Sequence, residues 1–417
     1  MKLRVLVCAY ACSPGGNAEA FGGGELVLGW NLVKQLGRFH QVVVLTSTPN
    51  RVNIESALTR EPLPTVQFQY FDLPSWMAFL RGIQGGIQVY AYLWQLQAYF
   101  VARRLHREFQ FDVFHHITYA NDWMASFIGA LLPVRYIRGP GGGAHRTPRE
   151  LLAEYSMGGR IWEQLRASGQ WIFRHDPFFV AGQRRARALL VCNCEALEAI
   201  PQKWRAKTSL FPVNGVSSDD LKQFPPDATR NGTFRVLTAG KLLRIKGNEL
   251  ALRAFRQFAA RHSDAEFVIV GNGPELPRLR GLAGELGQTR QVRFEDWMTR
   301  EELLSQMRAS DVFLFPSLRD GGGAVVVEAM AAGKPIVCLD LAGPGLHVTP
   351  ECGMKITPCS PERTVREMAA ALERLYQDKE LRTRMGQAAR KRGEEHYHWD
   401  RLGERLQEIY RAFLCEG

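Results

Sequence analysis

The sequence has no run of about 18 apolar residues, so nothing in it reads as a membrane-spanning helix. Its eight cysteines form no Cys-x-x-Cys pair and show no zinc-type spacing, which leaves neither a metal site nor a dithiol redox motif to expect. Cys8, Cys192 and Cys338 sit inside apolar runs, where cysteine acts as a small hydrophobe, a usage that fits a reducing cytoplasm. GxxxxGK[ST] is missing, and GxGxxG fails because Leu276 stands where its third glycine belongs, so P-loop ATPase and hydride chemistry lack support. Helix-turn-helix, RNP and zinc-finger patterns are absent too. Acidic side chains are in short supply, 42 Asp+Glu against 53 Lys+Arg, for a net charge of +11.

What is present points to a large ordered protein. With 417 residues, 46% of them hydrophobic, the chain exceeds the size at which one core stops growing, and two domains are expected. The opening MKLRVLVCAYACSPGG superficially resembles a signal peptide, but its apolar run is short and opens into a glycine-rich loop, so it reads as a buried first strand. Residues 1–210 hold 23 basic and 14 acidic side chains, and the remainder 30 and 28. The basic excess thus sits in the N-terminal half. It suggests an anionic partner (nucleic acid, anionic lipid or a phosphorylated substrate), beside the plain reading of a solubilising surface.

Short apolar runs alternate with helical patterns throughout. Leu3–Val7, Val42–Thr46, Phe111–His115, Val134–Arg138 and Leu189–Cys192 read as strands, and Glu25–Leu36 as a helix. After the polar segment Phe224–Gly232 the rhythm restarts with strand Phe234–Ala239 and helix Asn248–Arg261. Strands Phe267–Val270, Val292–Phe294, Val312–Phe315 and Ile336–Cys338 follow, with helices Pro274–Leu286, Arg300–Ala309 and Ala324–Ala332 between them. Such alternation predicts an α/β fold of two doubly wound, Rossmann-like domains, with parallel sheets facing across a cleft and ligands beyond the strands' carboxyl ends. The aromatic stretches Trp76–Phe100, followed by Arg103, Arg104 and Arg107, and Tyr155–Phe179 have two readings. They are core helices or exposed aromatic–basic surfaces that touch lipid or an apolar acceptor.

Several glycine-rich turns fall at expected strand ends. In VFLFPSLRDGGGAVVVEAMAAG, Asp320 precedes Gly321, Gly322 and Gly323, and a helix begins near Ala324 and Val325. Glycines let backbone N–H groups approach an anion, and the helix N-terminus favours negative charge, so the loop suits a phosphate. Glu328, one turn in, could accept from a sugar or ribose diol. The plain alternative is a turn. GKLLRIKG, from Gly240 to Gly247, places Lys241 and Lys246 where two cations could neutralise a departing diphosphate, beside the reading of solvated surface. VGNGPELP carries Gly271 and Gly273 in a tight or nucleotide-binding turn. In the N-terminal half, FGGGE contains Gly23 and Gly24, and RGPGGGAHRTP contains Arg138, Gly142, Gly143 and His145. His115 and His116 are adjacent on a strand and so point to opposite faces, with a structural role as the default.

Together these motifs resemble the nucleotide-sugar glycosyltransferases of family 4, which have the GT-B fold, and RGPGGGAHRTP looks like one bacterial subgroup. The marks are the acid–seven residues–Glu spacing of Asp320 and Glu328 with AMAAGKPIV after it, the Gly240–Gly247 segment, and the Gly271–Pro274 turn. The resemblance implies an acceptor-side domain over 1–222, a donor domain over 223–396 and a final helix in 397–417 that crosses back. It implies retaining, metal-independent transfer of a sugar from a UDP-, GDP-, ADP- or dTDP-linked donor, with no cofactor, to an acceptor hydroxyl. Lys241 and Lys246 would hold the diphosphate and Glu328 the ribose. Asp320 and the amides of Gly321–Val325 would face the sugar and phosphate, the base would lie past Phe294, and the loop with Gly23 and Gly24 would cover the diphosphate. Arg138, Gly142 and Gly143 would face the acceptor, and His145 would join Asp320, Lys241 and Lys246 as a catalytic group. Lys241 replaces the family's usual Arg and Asp320 its usual Glu. The family's histidine before the RGPGG loop is missing, with His145 or Arg138 as substitutes. A cell-envelope polysaccharide or lipid-linked acceptor, reached from the cytoplasm at the inner membrane face, follows from the basic half. The other readings are a GT-B epimerase, a glycoside hydrolase built on Asp320 and Glu328, and a non-enzymatic nucleic-acid binder.

Overall fold

The structure, a computed structural model, describes residues 2–15, 23–83, 85–143, 145–222 and 232–414. Most of the expected linker, 223–231, lies outside them, as do residues 16–22 of the first glycine loop. The chain forms two compact units, one of Met1–Ala144, Gln164–Val213 and Trp399–Gly417, the other of His145–Glu163 and Asn214–His398.

The first unit contains strands β1 (Arg4–Ala9), β2 (Gln41–Ser47), β3 (Val66–Phe71), β4 (Val113–Thr118), β5 (Arg135–Gly141), β6 (Ala186–Val191) and β7 (Thr208–Leu210). They form one sheet in the order β3-β2-β1-β4-β5-β6-β7, and all its pairs are parallel. Parallel strands covered on both faces need nearly continuous apolar sequence, which is what RVLVCA and QVVVLTS supply. The second unit contains β8 (Phe234–Ala239), β9 (Ala265–Val270), β10 (Val292–Glu295), β11 (Val312–Phe315), β12 (Ile336–Leu339) and β13 (Gly353–Ile356). Their order is β10-β9-β8-β11-β12-β13, again parallel. In both sheets the order reverses beside the first strand. This switch point opens a crevice at the carboxyl ends of β8 and β11, and loops leaving those two strands meet there.

Unit membership departs from three consecutive segments with breaks at 222/223 and 396/397. Leu151 and Tyr155 are buried with Phe234, Leu250 and Phe255, so 145–163 joins the second core. Val216 is buried with Leu237 and Phe313 and pairs with His398. Trp399, Leu402, Leu406 and Tyr410 of the final helix, Trp399–Leu414, are buried with Val5, Val44 and Ile137 of the first. The strands not expected from sequence, β3, β7 and β13, all lie at sheet edges, where half-buried or short strands carry no apolar run.

The aromatic stretch from Trp76 divides between its two readings. Tyr90 and Trp94 of the helix Gly86–Phe109 are fully buried, whereas Trp76, Phe79 and Phe100 are 71%, 61% and 61% exposed. Neither His115 nor His116 faces solvent. His115 Nε2 lies 2.7 Å from the Gly139 carbonyl, which can only accept, so Nδ1 takes the Tyr410 hydroxyl at 2.9 Å. Burial holds the His115 imidazole down to about 4. Above pH 6.5 His115 is therefore neutral in both folded and unfolded chains; between 6.5 and about 4 only the unfolded chain takes up the proton. Denaturant midpoints measured across this window should fall with pH, and His115→Gln should show a shallower fall; equal slopes would overturn this account.

Candidate functional site

Three loops of the second unit interlock at the switch point. Glycine is required where they touch. Gly247 has φ +66°, and a β-carbon there would collide with the Pro316 carbonyl oxygen. Gly271, at φ +131°, lies against the Gly240 carbonyl in the same way. Backbone bonds complete the stack, with Leu242 N–H donating to Asn272 O at 2.8 Å and Leu318 N–H to Ile245 O at 2.9 Å. Gly273 approaches the Leu242 carbonyl.

Across this stack, Lys246 Nζ forms an ion pair with Asp320 Oδ2. The other Asp320 oxygen, Oδ1, accepts from Gly323 N–H at 2.7 Å and from Gly322 N–H at 3.2 Å. Burial pushes this carboxyl up, but Lys246, the Gly323 amide and His145 together hold it below the usual range. Asp320 is therefore a fixed anion that orders the glycine loop and ties it to Lys246. His347 braces the same loop from beneath. Its Nε2 donates to Gly322 O at 2.6 Å, and Nδ1 accepts from the Tyr397 hydroxyl at 2.9 Å. Burial keeps that imidazole neutral, down to about 4.

Gly323, at φ +59°, starts the helix Ala324–Ala331, which carries Ala324, Val325 and Glu328. Glu328 is 17% exposed, and its Oε1 accepts from Arg300 Nη1 at 2.8 Å. Burial raises its carboxyl, Arg300 lowers it, and Asp220 raises it; the balance leaves it above the ordinary value. Lys241, Gly240 and Lys246 line one small pocket with Thr238, Asn248 and Phe315. His145 belongs to this unit too, with its ring packed against Gly321. Phe294 points elsewhere: its ring packs against the core beneath the helix Leu276–Glu285, with the Arg280 guanidinium 5.9 Å from its centroid.

The remaining candidates lie in the first unit. Gly23 begins the helix Gly23–Phe39, and Gly24 follows it, exposed. Arg138 was expected to end a strand and face the acceptor, but it is 4% exposed. Its Nη2 donates to the carbonyls of Asn121 and Met124, and the guanidinium stacks 4.7 Å from the Phe179 centroid. Arg138 is an internal strut, drawn inward because it lies on β5. Gly142 and Gly143 are half-buried, with Gly143 O accepting from Gln170 Nε2 at 3.1 Å. Sequence reading missed Arg300, Asp220 and His347. Only Arg300 had a signal, the Thr299-x-x-Glu302 capping box that fixes its helix start.

Residues 219–392 match the family described as glycosyl transferases group 1. The second unit carries a group 1 glycosyl transferase domain. Alpha-D-kanosaminyltransferase of Streptomyces kanamyceticus is 33% identical over 252 residues, covering 58% of this chain and 63% of that protein. The chain thus spans less than two thirds of that relative. Sucrose-phosphate synthase from Thermosynechococcus elongatus superposes over all of both chains with a TM-score of 0.68 at 19% identity. Anabaena Alr3699/HepE, solved in complex with UDP, superposes over 99% of this chain and all of its own, with a TM-score of 0.62 at 15% identity. These likenesses show the fold, GT-B. The matched residues include Lys241, Lys246, Arg300, Asp320, Glu328 and His347, whereas His145 and Tyr397 lie outside them.

In that domain the Lys246–Asp320 pair is mostly buried, so its partners depend on each other. Lys246→Met should destabilise the protein by about 3 kcal/mol, because it leaves a carboxylate buried and unpaired. Lys246→Met/Asp320→Asn should recover most of the loss. Chemical denaturation checks both, and a double variant no more stable than the single would overturn the coupling.

Proposed function

We propose that the protein is a retaining, metal-independent glycosyltransferase that moves a sugar from a nucleoside-diphosphate donor to an acceptor hydroxyl. One observation carries the reading: Lys241 and Lys246 line one pocket, Lys246 is paired with Asp320 of the glycine loop, and the helix that bears Glu328 starts from that loop. The group 1 match over 219–392 and the naming of the Streptomyces relative as an alpha-D-kanosaminyltransferase support it. In the reaction the bond between the sugar's anomeric carbon and the diphosphate oxygen breaks, and the acceptor oxygen bonds to that carbon on the same face. The departing phosphate oxygen takes the acceptor proton, so no separate base is needed. Lys241, Lys246 and the amides of Ala324 and Val325 at the helix start stabilise the charge that grows on the diphosphate. Because these groups supply that stabilisation, the reading requires no metal ion and no cofactor. Asp320 keeps Lys246 and the amides in place, and Glu328 accepts from the donor's ribose hydroxyls. UDP is the first donor base to test, since the Anabaena neighbour was solved with it.

The same residues weigh against the other readings. A hydrolase would need Asp320 as a reacting carboxylate, yet both its oxygens are taken by Lys246 and loop amides. The relatives named as transferases give an epimerase no support, and the basic half carries no nucleic-acid motif.

The acceptor is proposed to be lipid-linked or otherwise anionic and to be met at a membrane surface. No helix among the described residues is long and apolar enough to cross a membrane. Attachment would instead use the first unit. Val89, Leu96, Phe100, Arg103 and Arg107 follow helical spacing along one face of Gly86–Phe109, and the first three are 46%, 38% and 61% exposed. Trp76 and Phe79 extend the surface on the segment Ser75–Gly82, held by the Arg81–Asp72 ion pair at 2.6 Å. Apolar side chains beside arginines suit an anionic bilayer face.

A thermal-shift series with UDP, GDP, ADP and dTDP and their sugars should give stabilisation by one base. Glu328→Ala and Lys241→Ala should each lower transfer by about 100-fold with melting unchanged. No shift with any nucleotide, or wild-type transfer in both variants, would overturn the assignment. Vesicles of mixed anionic and neutral lipid should pull the protein down at low salt. Phe79→Ala/Phe100→Ala and Arg103→Glu/Arg107→Glu should each release it. Binding indifferent to both changes would remove the membrane surface.

A further inference from the structure

Arg300 belongs to none of the motifs that suggested the site, yet it is the group that engages the site's second carboxylate. It is the first residue of the helix Arg300–Arg308, whose start is locked by a reciprocal cap: Thr299 N–H donates to Glu302 Oε2 at 2.7 Å, and Glu302 N–H to Thr299 Oγ1 at 3.3 Å. From that fixed origin the guanidinium reaches two carboxylates on two other elements. Nη1 meets Glu328 Oε1 at 2.8 Å, and Nη2 meets Asp220 Oδ1 at 3.0 Å. Asp220 lies on the short helix Ser218–Lys222 and is itself held, its Oδ2 accepting from Ser217 N–H at 2.8 Å and Ser217 Oγ at 2.9 Å. The fork geometry of arginine allows such a two-sided grip, which a lysine cannot reproduce.

We propose that Arg300 is a positioning residue for the donor: it holds Glu328 by one oxygen, so that Oε2 is presented to the ribose diol, and Asp220 fixes Arg300 in turn. This rests on the reading of Glu328 as the group that accepts from the ribose. Among the described residues, Oε2 of Glu328 accepts no hydrogen bond, so the arginine orients the carboxylate without consuming it. The charged groups that face Glu328 are Arg300, from the helix beside it, and Asp220, behind the arginine. Burial and Asp220 favour the protonated acid, and Arg300 opposes them. Without Arg300 the carboxyl stays protonated to a higher pH, and a protonated carboxyl turned to an arbitrary rotamer is a poorer acceptor for two adjacent hydroxyls.

The test is isothermal titration of UDP, GDP and ADP and of their 2′-deoxy counterparts between pH 6 and 9, with wild type, Arg300→Met, Arg300→Lys, Asp220→Asn and Glu328→Ala. Wild type should prefer the ribonucleotide, and Glu328→Ala should lose that preference. Arg300→Met should lose it to a similar extent, and its affinity should fall with decreasing pH at a higher pH than in wild type. Arg300→Lys should restore the pH profile but only part of the ribose preference, because it returns charge without the fork. Asp220→Asn, which leaves Arg300 in place, should lower the preference part-way, and it carries the test if Arg300→Met does not fold. A wild-type preference and profile in Arg300→Met or Asp220→Asn, with Glu328→Ala impaired, would overturn the proposal for Arg300 alone. An unaltered preference in Glu328→Ala, or no nucleotide bound by wild type, would overturn the reading of the site and this proposal with it.

Discussion

The Lys246–Asp320 ion pair is the contact on which the switch-point geometry depends. It joins the loop leaving β8 to the loop leaving β11, the two strands between which the sheet order reverses. One carboxylate oxygen holds the lysine and the other gathers two glycine amides, so a single side chain sets the position of a cation and of a helix N-terminus. Such an arrangement is stable because the charges are satisfied locally, in a place where an unpaired carboxylate would be expensive to bury. His347 supplies the other support. As a neutral ring between Tyr397 and the Gly322 carbonyl, it fixes that carbonyl while Asp320 holds the amides on either side of it.

Two carboxylates eight positions apart are thus put to different uses by their surroundings. Asp320 lies among donors and is held ionised, while Glu328 lies on the next turn of a buried helix and is favoured as an acid except for Arg300. The first is committed to structure on both oxygens. The second has one oxygen engaged and one available, which is the condition for recognising a ligand.

The sequence was most legible where a strand is buried on both faces and followed by a glycine turn. Phe234–Ala239 and Val312–Phe315 have the same bounds in the structure as in the apolar pattern, and the turns after them are the ones that meet. Three of the four edge strands escaped, because they are short or, as in Val66–Phe71, interleave polar and apolar types; the fourth, Val292–Glu295, was expected. Site residues were legible when their role depends on local chain geometry, as with the glycine triplet before Ala324. Roles that depend on packing were not. Arg138 carries a charge that suggested a ligand contact, but strand alternation turned it toward the carbonyls of Asn121 and Met124. Phe294 was read as lying beside the donor base, but its ring faces the core. Arg300 and Asp220 are 80 positions apart, and no periodicity announces that they share a carboxylate neighbour.

The interlocked glycines have a wider consequence. Where Gly271 meets the Gly240 carbonyl and Gly247 meets that of Pro316, the contacts are made by main chain alone. The frame of the rim therefore does not depend on which side chains stand at the intervening positions, among them Lys241, Arg244 and Asn272. Side chains at such positions can change in type while the scaffold beneath them is held by sterics. A fold built in this way separates the part that must stay constant from the part that sets substrate choice, and it allows one architecture to diversify in specificity one side chain at a time.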